Sequence, residues 1–394
     1  MRVDFVTKEY PPNIYGGAGV HITELVRVLR GQIEARVHAF GDPVSEPGTF
    51  GYKTPAAFSD QNSALQTMAT DLEIVPNIAG ADLVHSHTWY ANFAGHIASL
   101  LHEIPHVITA HSLEPMRPWK KEQLGGGYQV SSFVEKSAYE AAAKVIAVSN
   151  GMREDILASY PKLDPQKVEV VYNGIDSKKW QPTENQEVID RYNIDSTRRS
   201  AMFVGRITRQ KGLSYFLEAA KSLPDDVQLI LAAGAPDTPE IKAEVEALVS
   251  ELQASRDGVT WIPEHLPVNE LAALLTQTDL FVCPSIYEPL GIVNLEAMAC
   301  GAAVIGTATG GIPEVVVQGE TGWLVEIDQV KDGTGTPKDP AAFIADWAQT
   351  MNQALDSGLA KQYGEAGRQR AVSKFSWESI ATRTIEVYRS ALES

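Results

Sequence analysis

Glu288 and Glu296 stand in the stretch Ser285-Ile-Tyr-Glu-Pro-Leu-Gly-Ile-Val-Asn-Leu-Glu-Ala-Met-Ala-Cys-Gly301, on either side of a short loop. The run before it, Asp279-Leu-Phe-Val-Cys283, is short, apolar and bounded by turn residues, as a buried strand is. Pro289 and Gly291 break that strand, and residues 292–300 predict a helix stopped by Gly301. In such a strand–loop–helix unit, bare backbone N–H groups at the helix start face the crevice at the strand's carboxyl end, where they can hold phosphate. A carboxylate just over one turn inside the helix can accept two hydrogen bonds from a ribose diol. One placed before the loop can hold the hydroxyls of a sugar. The same spacing also suits a Glu288 that caps the helix and a Glu296 that is merely solvated.

Other segments carry polar groups to similar places. The predicted strand Ser200-Ala-Met-Phe-Val204 leads into Gly205-Arg-Ile-Thr-Arg-Gln-Lys-Gly212, a glycine-flanked basic loop, and then into a helix over 213–222. Arg206 and Lys211 at the mouth of a helix can neutralise a diphosphate, Arg as a fork and Lys as a point charge. An exposed basic turn is the plain alternative. Six of the nine histidines fall between His85 and His111. His85 and His87 would share a face of an extended strand, yet no nearby carboxylate or cysteine completes a zinc set, and His96 and His102 fall in a predicted helix. The economical reading is that His87 and His111 end parallel strands at a crevice; a satisfied structural His111 remains open. Gly16-Gly-Ala-Gly19 separates a first strand, Val3-Asp-Phe-Val6, from a helix with Val20, Ile22, Leu25, Val26 and Leu29, and such glycines let a backbone approach a bulky anion. Gly17-x-Gly19, with Asp42 after the next strand, partly matches a dinucleotide fingerprint. Ile22 at its third position and the long link from Val6 to Gly16 count against it.

The elements that must position these groups alternate along the chain. Strands are predicted over 36–40, 81–85, 105–110, 144–148 and 168–172, and helices over 64–78 and 130–143. Residues 43–62 read as loop, and 115–128, rich in Pro, Lys, Trp and Gly, as a long ordered loop of the kind that is usually functional. This rhythm implies a mostly parallel, helix-covered sheet. The apolar pattern fails over 173–200 and then restarts, which marks a domain boundary. Strands over 227–234, 258–262, 279–283, 302–305 and 322–325 build a second sheet, Thr309-Gly-Gly311 ends another strand-to-helix loop, and 332–339 is a polar turn or lid. At the end, Ser376 is a plausible N-cap after Phe375, and Trp377, Ile380, Ile385, Tyr388 and Leu392 form the buried side of a last helix.

The 394 residues suggest two or three domains of an ordinary globular α/β protein. A net charge of −17 argues against nucleic-acid partners and anionic membranes, and makes any anionic ligand depend on a local cationic pocket. Cys283 and Cys300, the only cysteines, suit a reducing compartment, and no run reaches the length of a membrane span, so a cytoplasmic protein is expected.

In order, a glycine loop, a histidine after a first-domain strand, Arg and Lys after a second-domain strand and Glu-x7-Glu resemble the retaining GT-B glycosyltransferases over nearly the whole chain. EYPPNIYGGAGVH, VYNGID, FVGRITRQKG and YEPLGIVNLEAMACG are similar to the short bacterial glycogen synthases and related α-maltose-1-phosphate synthases, which use ADP-glucose. The resemblance implies two Rossmann-like domains facing across a cleft: an acceptor-side domain over 1–175 completed by a C-terminal helix over 375–394, and a nucleotide-sugar-binding domain over 176–374. It implies that Gly16 and Gly17 approach the donor phosphates and that His111 contacts the transferred sugar near its reacting carbon. Arg206 and Lys211 would bind the diphosphate and stabilise its departure. Glu288 would hold glucose hydroxyls, the N–H groups of Leu290, Gly291 and Ile292 would take sugar or phosphate oxygens, and Glu296 would hold the ribose. The anomeric configuration would be retained.

The chain has no Asp-x-Asp motif, and Arg206, Lys211 and helix N-termini can offset a diphosphate unaided, so neither metal nor cofactor is expected. Ile14-Tyr15 stand where the long glycogen and starch synthases carry Lys-x-Gly-Gly, and Glu296 is present where those enzymes lack the second glutamate. The chain thus sits with the shorter branch. The expected acceptor is glucose 1-phosphate, giving maltose 1-phosphate, or the non-reducing end of an α-1,4-glucan. Homo-oligomer formation stays open. Rival readings are a transferase using a UDP- or GDP-sugar on a lipid or small polyol, a non-catalytic carbohydrate-binding protein, and an NAD-dependent oxidoreductase, which would leave Arg206, Lys211 and Glu288 unemployed.

Overall fold

The computed structural model describes residues 1–118 and 120–393; Trp119, inside the expected long loop, and Ser394, at the end of the expected last helix, lie outside the described residues. The chain divides into two compact units, Met1–Gly174 with Trp377–Ser394, and Ile175–Ser376.

The first unit holds strands β1 (Arg2–Thr7), β2 (Glu34–Phe40), β3 (Thr49–Tyr52), β4 (Leu83–His87), β5 (His106–Ala110), β6 (Lys144–Ala147) and β7 (Val168–Val170). They form one parallel sheet in the order β3-β2-β1-β4-β5-β6-β7. Parallel pairing needs a crossover between strands, and the helices that make the crossovers cover the sheet and bury its strands. β1, β4 and β5 are accordingly buried almost throughout. The order reverses between β1 and β4, which opens a crevice at the carboxyl ends of these two strands. Val3, Phe5, Ile22, Leu25 and Leu29 pack with Trp377, Ile380 and Tyr388 in one cluster, and Val6, Ile74, Val84, Ala91 and Ala94 form another.

The second unit holds β8 (Arg199–Arg206), β9 (Val227–Gly234), β10 (Val259–Ile262), β11 (Leu280–Cys283), β12 (Ala303–Thr307) and β13 (Gly322–Val325). Their order, β10-β9-β8-β11-β12-β13, is again all parallel and reverses between β8 and β11. The helix Pro340–Asp356 contributes Phe343, Trp347 and Met351 to its core.

Several expectations are corrected. The 43–62 segment contains β3, a four-residue edge strand with no fully buried position, too short for Phe50 and Tyr52 to mark it as a strand. The expected long loop over 115–128 is largely helical, with Lys120–Leu124 and then Gly127–Ala141, and Gly127 leaves no room for a Cβ, which would lie 2.4 Å from Asn62 Oδ1. Leu392 is 45% exposed, so it is not part of the buried side of the last helix, Trp377–Glu393.

That helix packs against the helix Gly17–Leu29 within the first unit. A Cβ on Gly174 would lie 2.5 Å from Trp377 Cδ2, so the indole sits directly on a bare backbone. Replacing Trp377 by Ala should remove about 3–5 kcal/mol from the stability of the first unit, measured by urea unfolding. A loss below about 1 kcal/mol would mean that the C-terminal helix is not integral to that core.

Candidate active site

In the second unit, three strand-to-helix loops converge at the β8/β11 reversal. β8 runs on through Gly205 and Arg206, so the basic loop begins inside the sheet. Thr208 Oγ1 accepts from the Lys211 N–H (3.3 Å), and Arg209–Lys211 is a single 3-10 turn. Gly212 follows at φ +63, and a Cβ on it would lie 2.0 Å from the Pro284 carbonyl oxygen, so only glycine lets this turn lie against the end of β11. The Ile286 N–H donates to the Gln210 carbonyl (2.9 Å) and fastens the two loops together. After β12, Gly310 at φ +53 leaves no room for a Cβ beside the Glu288 carbonyl, to which the Gly311 N–H donates (2.9 Å).

Lys211 Nζ lies 2.6 Å from Glu288 Oε2, and Ser285 Oγ donates to the same oxygen (3.0 Å). Burial works to discharge Lys211, but the Glu288 carboxylate outweighs it and holds the ammonium pKa above the ordinary lysine value. Glu288 therefore does not cap the helix Ile292–Ala299, whose N-cap is Gly291 at φ +92, with no side-chain capping bond. The Gly291 and Ile292 N–H groups meet no acceptor among the described residues, and Leu290 is buried beside them. Glu296, one turn inside, is half-buried and without a partner among the described residues. Burial pushes its carboxyl up to about 7, against the pull of Lys211. Arg206 pairs with Asp237, a residue beyond the end of β9 that no motif singled out. Two cations and the positive ends of two helices thus surround a crevice containing an uncapped helix start, a combination suited to a diphosphate.

In the first unit, the helix Gly17–Leu29 starts at Gly17, with Gly16 as N-cap, so Gly17 and Gly19 lie in its first turn and not in a preceding loop. The Glu9 carboxylate accepts from the Tyr15 N–H (3.1 Å) and the Gly16 N–H (2.8 Å), and a Cβ on Gly19 would meet it at 2.8 Å. Ile22 is fully buried in the core, and Asp42 is an exposed partner of Lys53 (2.9 Å).

His87 ends β4 and His111 follows β5; His87 Nδ1 and His111 Nε2 are 3.0 Å apart. His21, which sequence reasoning had not singled out, packs edge-on against His111 at 4.7 Å between ring centroids and reaches Asn173 Oδ1 through Nδ1 (2.7 Å). Burial lowers His21 to about 4, and burial together with the neighbouring imidazoles holds His85, His87 and His111 well below the ordinary value, so the stack is neutral at pH 7. His85 is satisfied by Tyr388 (2.7 Å) and Thr109 (2.8 Å), and His106 bonds Ser86 (2.7 Å); both are structural. His102 bonds the Val75 carbonyl (3.0 Å) away from the stack. His21, His87 and His111 bring one nitrogen each within 4.8 Å of one another, close enough to suggest a metal ion. Yet His87 Nδ1 and His111 Nε2 are hydrogen-bonded to each other, and no carboxylate or thiolate among the described residues joins the set. His111 alone of the three is partly exposed, which leaves it the one that can meet a ligand, with His87 beneath it.

Comparisons with known proteins show the family and the fold. The model of the glycosyl transferases group 1 matches residues 184–370, and that of glycosyltransferase family 4 matches residues 15–179. The chain is 51% identical over 393 residues to the α-maltose-1-phosphate synthase of Mycolicibacterium smegmatis, covering 99% of each chain. It is 27% identical to the glycogen synthase of Mycobacterium tuberculosis, over 99% of this chain and 95% of the other. The solved structure of sucrose-phosphate synthase from Thermosynechococcus elongatus matches 100% of this chain and 99% of its own with a TM-score of 0.80; at 23% identity this is a likeness of fold. Two Rossmann-like parallel-sheet units and full-length kinship lead to one conclusion: the chain belongs to the GT-B glycosyltransferases, of the α-maltose-1-phosphate synthase and glycogen synthase type.

Proposed function

We propose that the protein transfers glucose from ADP-glucose, with retention of configuration, to glucose 1-phosphate, giving maltose 1-phosphate; the non-reducing end of an α-1,4-glucan is the second acceptor considered. The observation that carries the reading is the charged Lys211–Glu288 pair beside the uncapped helix start at the β8/β11 reversal. Greater identity to the relatives named for maltose 1-phosphate than to those named for glycogen supports the phosphorylated acceptor.

In this reading the bond between the glucosyl carbon and the diphosphate oxygen breaks, and the acceptor oxygen bonds to that carbon on the same face. The acceptor proton passes to the departing phosphate oxygen. Lys211 and Arg206 offset the charge that develops on the leaving group, Arg206 by exchanging Asp237 for phosphate. Glu288 holds glucose hydroxyls, the Leu290, Gly291 and Ile292 N–H groups hold sugar or phosphate oxygens, and Glu296 holds the ribose. His111 serves the transferred sugar near its reacting carbon, with His87 positioning it, and Gly16 and Gly17 approach the donor phosphates. The first unit would act on the acceptor side and the second would hold the nucleotide sugar. No helix among the described residues is long and apolar enough to cross a membrane. Two free, buried thiols, Cys283 and Cys300, suit the reducing cytoplasm that we propose as its setting.

Release of ADP from ADP-glucose, with glucose 1-phosphate and glycogen offered separately in excess EDTA, tests this. The reading predicts at least tenfold faster release with glucose 1-phosphate and no dependence on a divalent ion. Preference for glycogen would make the enzyme chain-elongating, release only from UDP- or GDP-sugars would overturn the donor, and a rate lost to EDTA and restored by a divalent ion would overturn metal independence.

Glu296 supplies a pH test. Its folded pKa is raised to about 7, so the protonated form is the favoured one in the folded protein, and the stability it contributes is lost as pH rises through 7. The gain in Tm from Glu296→Gln should therefore be larger at pH 8.5 than at pH 5. An equal shift at both values would mean that the carboxyl is not desolvated.

A further inference from the structure

A second cationic group lies in the first unit, at the carboxyl ends of β1 and β4, and the roles assigned above do not use it. Lys8 directly follows β1, Tyr90 follows β4, and Arg117 and Lys120 belong to the segment after β5. Lys8 Nζ stands 3.9 Å from the centre of the Tyr90 ring and Lys120 Nζ 5.3 Å from it, so two ammonium groups meet one aromatic ring. Lys8 makes no ion pair among the described residues. Arg117 Nη1 donates to Ser112 Oγ (3.1 Å), next in the chain to His111, while Arg117 Nε is buried without a partner among the described residues. Lys120 is 5% exposed, and its nearest carboxylate oxygen, Glu114 Oε1, lies 3.7 Å away.

The carboxylates around this group do not cancel it. Glu9 is engaged with the Tyr15 and Gly16 N–H groups. Glu114 accepts from Ser131 Oγ (2.5 Å) and turns its other oxygen toward Lys120 (3.7 Å). Glu135, which accepts from Tyr160 and from the Glu114 N–H, has its pKa raised by burial and by Glu114 and keeps its proton at neutral pH. Three cations therefore face two carboxylates on a chain whose net charge is −17. Burial and the mutual repulsion of the cations lower Lys120 to about 8, and burial lowers Lys8. Desolvated like charges whose counter-charge is incomplete are favoured by an anionic ligand among them.

We propose that Lys8, Arg117 and Lys120, arranged around Tyr90, form the subsite for the phosphate of a phosphorylated sugar acceptor. The inference rests on the acceptor reading above and gives it a recognition device. The bond from Arg117 to Ser112 sets the phosphate beside His111, so the acceptor's sugar ring lies against the imidazole. A neutral glucan end offers no anion to Lys8 and Arg117, which disfavours it as a partner.

Isothermal titration with α-glucose 1-phosphate, inorganic phosphate and maltose tests the subsite directly, on the full-length protein and on Lys8→Met, Arg117→Met and Lys8→Arg, each first checked for an unaltered Tm. Lys8→Met and Arg117→Met should each weaken glucose 1-phosphate and inorganic phosphate at least tenfold and leave maltose unaffected, and Lys8→Arg should restore most of the loss. In turnover, KM for glucose 1-phosphate should rise by a similar factor while KM for ADP-glucose shifts less than twofold. Unchanged phosphate affinity in both methionine variants, or no phosphate binding by the unaltered protein, would overturn the subsite. If the unaltered protein binds glucose 1-phosphate through these residues but transfers nothing to it, the acceptor reading fails while the subsite stands.

Discussion

Withdrawing an ion pair from water is costly, and the second unit holds one that is largely withdrawn, with Lys211 about a quarter exposed. Taking an ammonium and a carboxylate out of water costs on the order of several kcal/mol per ion, repaid only where the geometry is close and remaining lone pairs are satisfied. Lys211 and Glu288 meet both conditions at 2.6 Å, with Ser285 on the same oxygen. The surrounding backbone exists to make that possible: Gly212 rests on the Pro284 carbonyl and Gly310 on the Glu288 carbonyl, approaches that any side chain would block. An apolar pair of the same volume would stabilise the fold at least as well. A charged pair held beside unpaired helix N–H groups is therefore better explained by a ligand than by stability.

The two units use opposite electrostatics. In the second, positive charge is kept at the β8/β11 reversal by Lys211 and Arg206, and Glu296 is left close to its titration point. In the first, the imidazoles at the end of β4 and β5 are neutral, stacked and mostly buried, so His111 offers hydrogen bonding and shape without charge. Charge there is confined to the lysines and arginine around Tyr90. In the function proposed, a neutral group would serve the reacting sugar carbon and the cations the phosphates, a division suited to a transfer in which negative charge leaves on phosphate.

Much of this was legible in the sequence, because the groups concerned sit in short loops between regular strands and helices. Glu288, Glu296, Arg206 and Lys211 follow apolar runs that can only be strands, and the strand order then brings the loops together. Where local pattern is weak, the reading failed. β3 is four residues long with no buried position, so its Phe50 and Tyr52 alternate over too short a stretch to stand out. The glycines and prolines over 115–128 disguised two helices, and with them the positions of Arg117 and Lys120. His21 lies one turn inside a helix, distant in sequence from His87 and His111, and only tertiary packing joins them. Asp237 is adjacent to no motif; its role appears only once β8 and β9 are paired.

The claim that the Lys211–Glu288 pair serves a diphosphate and not the fold is tested most directly by kcat/KM for ADP-glucose in Lys211→Met, measured alongside its urea unfolding. The account predicts a loss of about 10²–10³-fold in turnover, of the size expected when one group stabilising a developing negative charge is removed, with the protein still folded. Turnover within a few-fold of the unaltered enzyme, accompanied by a loss of stability, would make the pair structural and contradict the account.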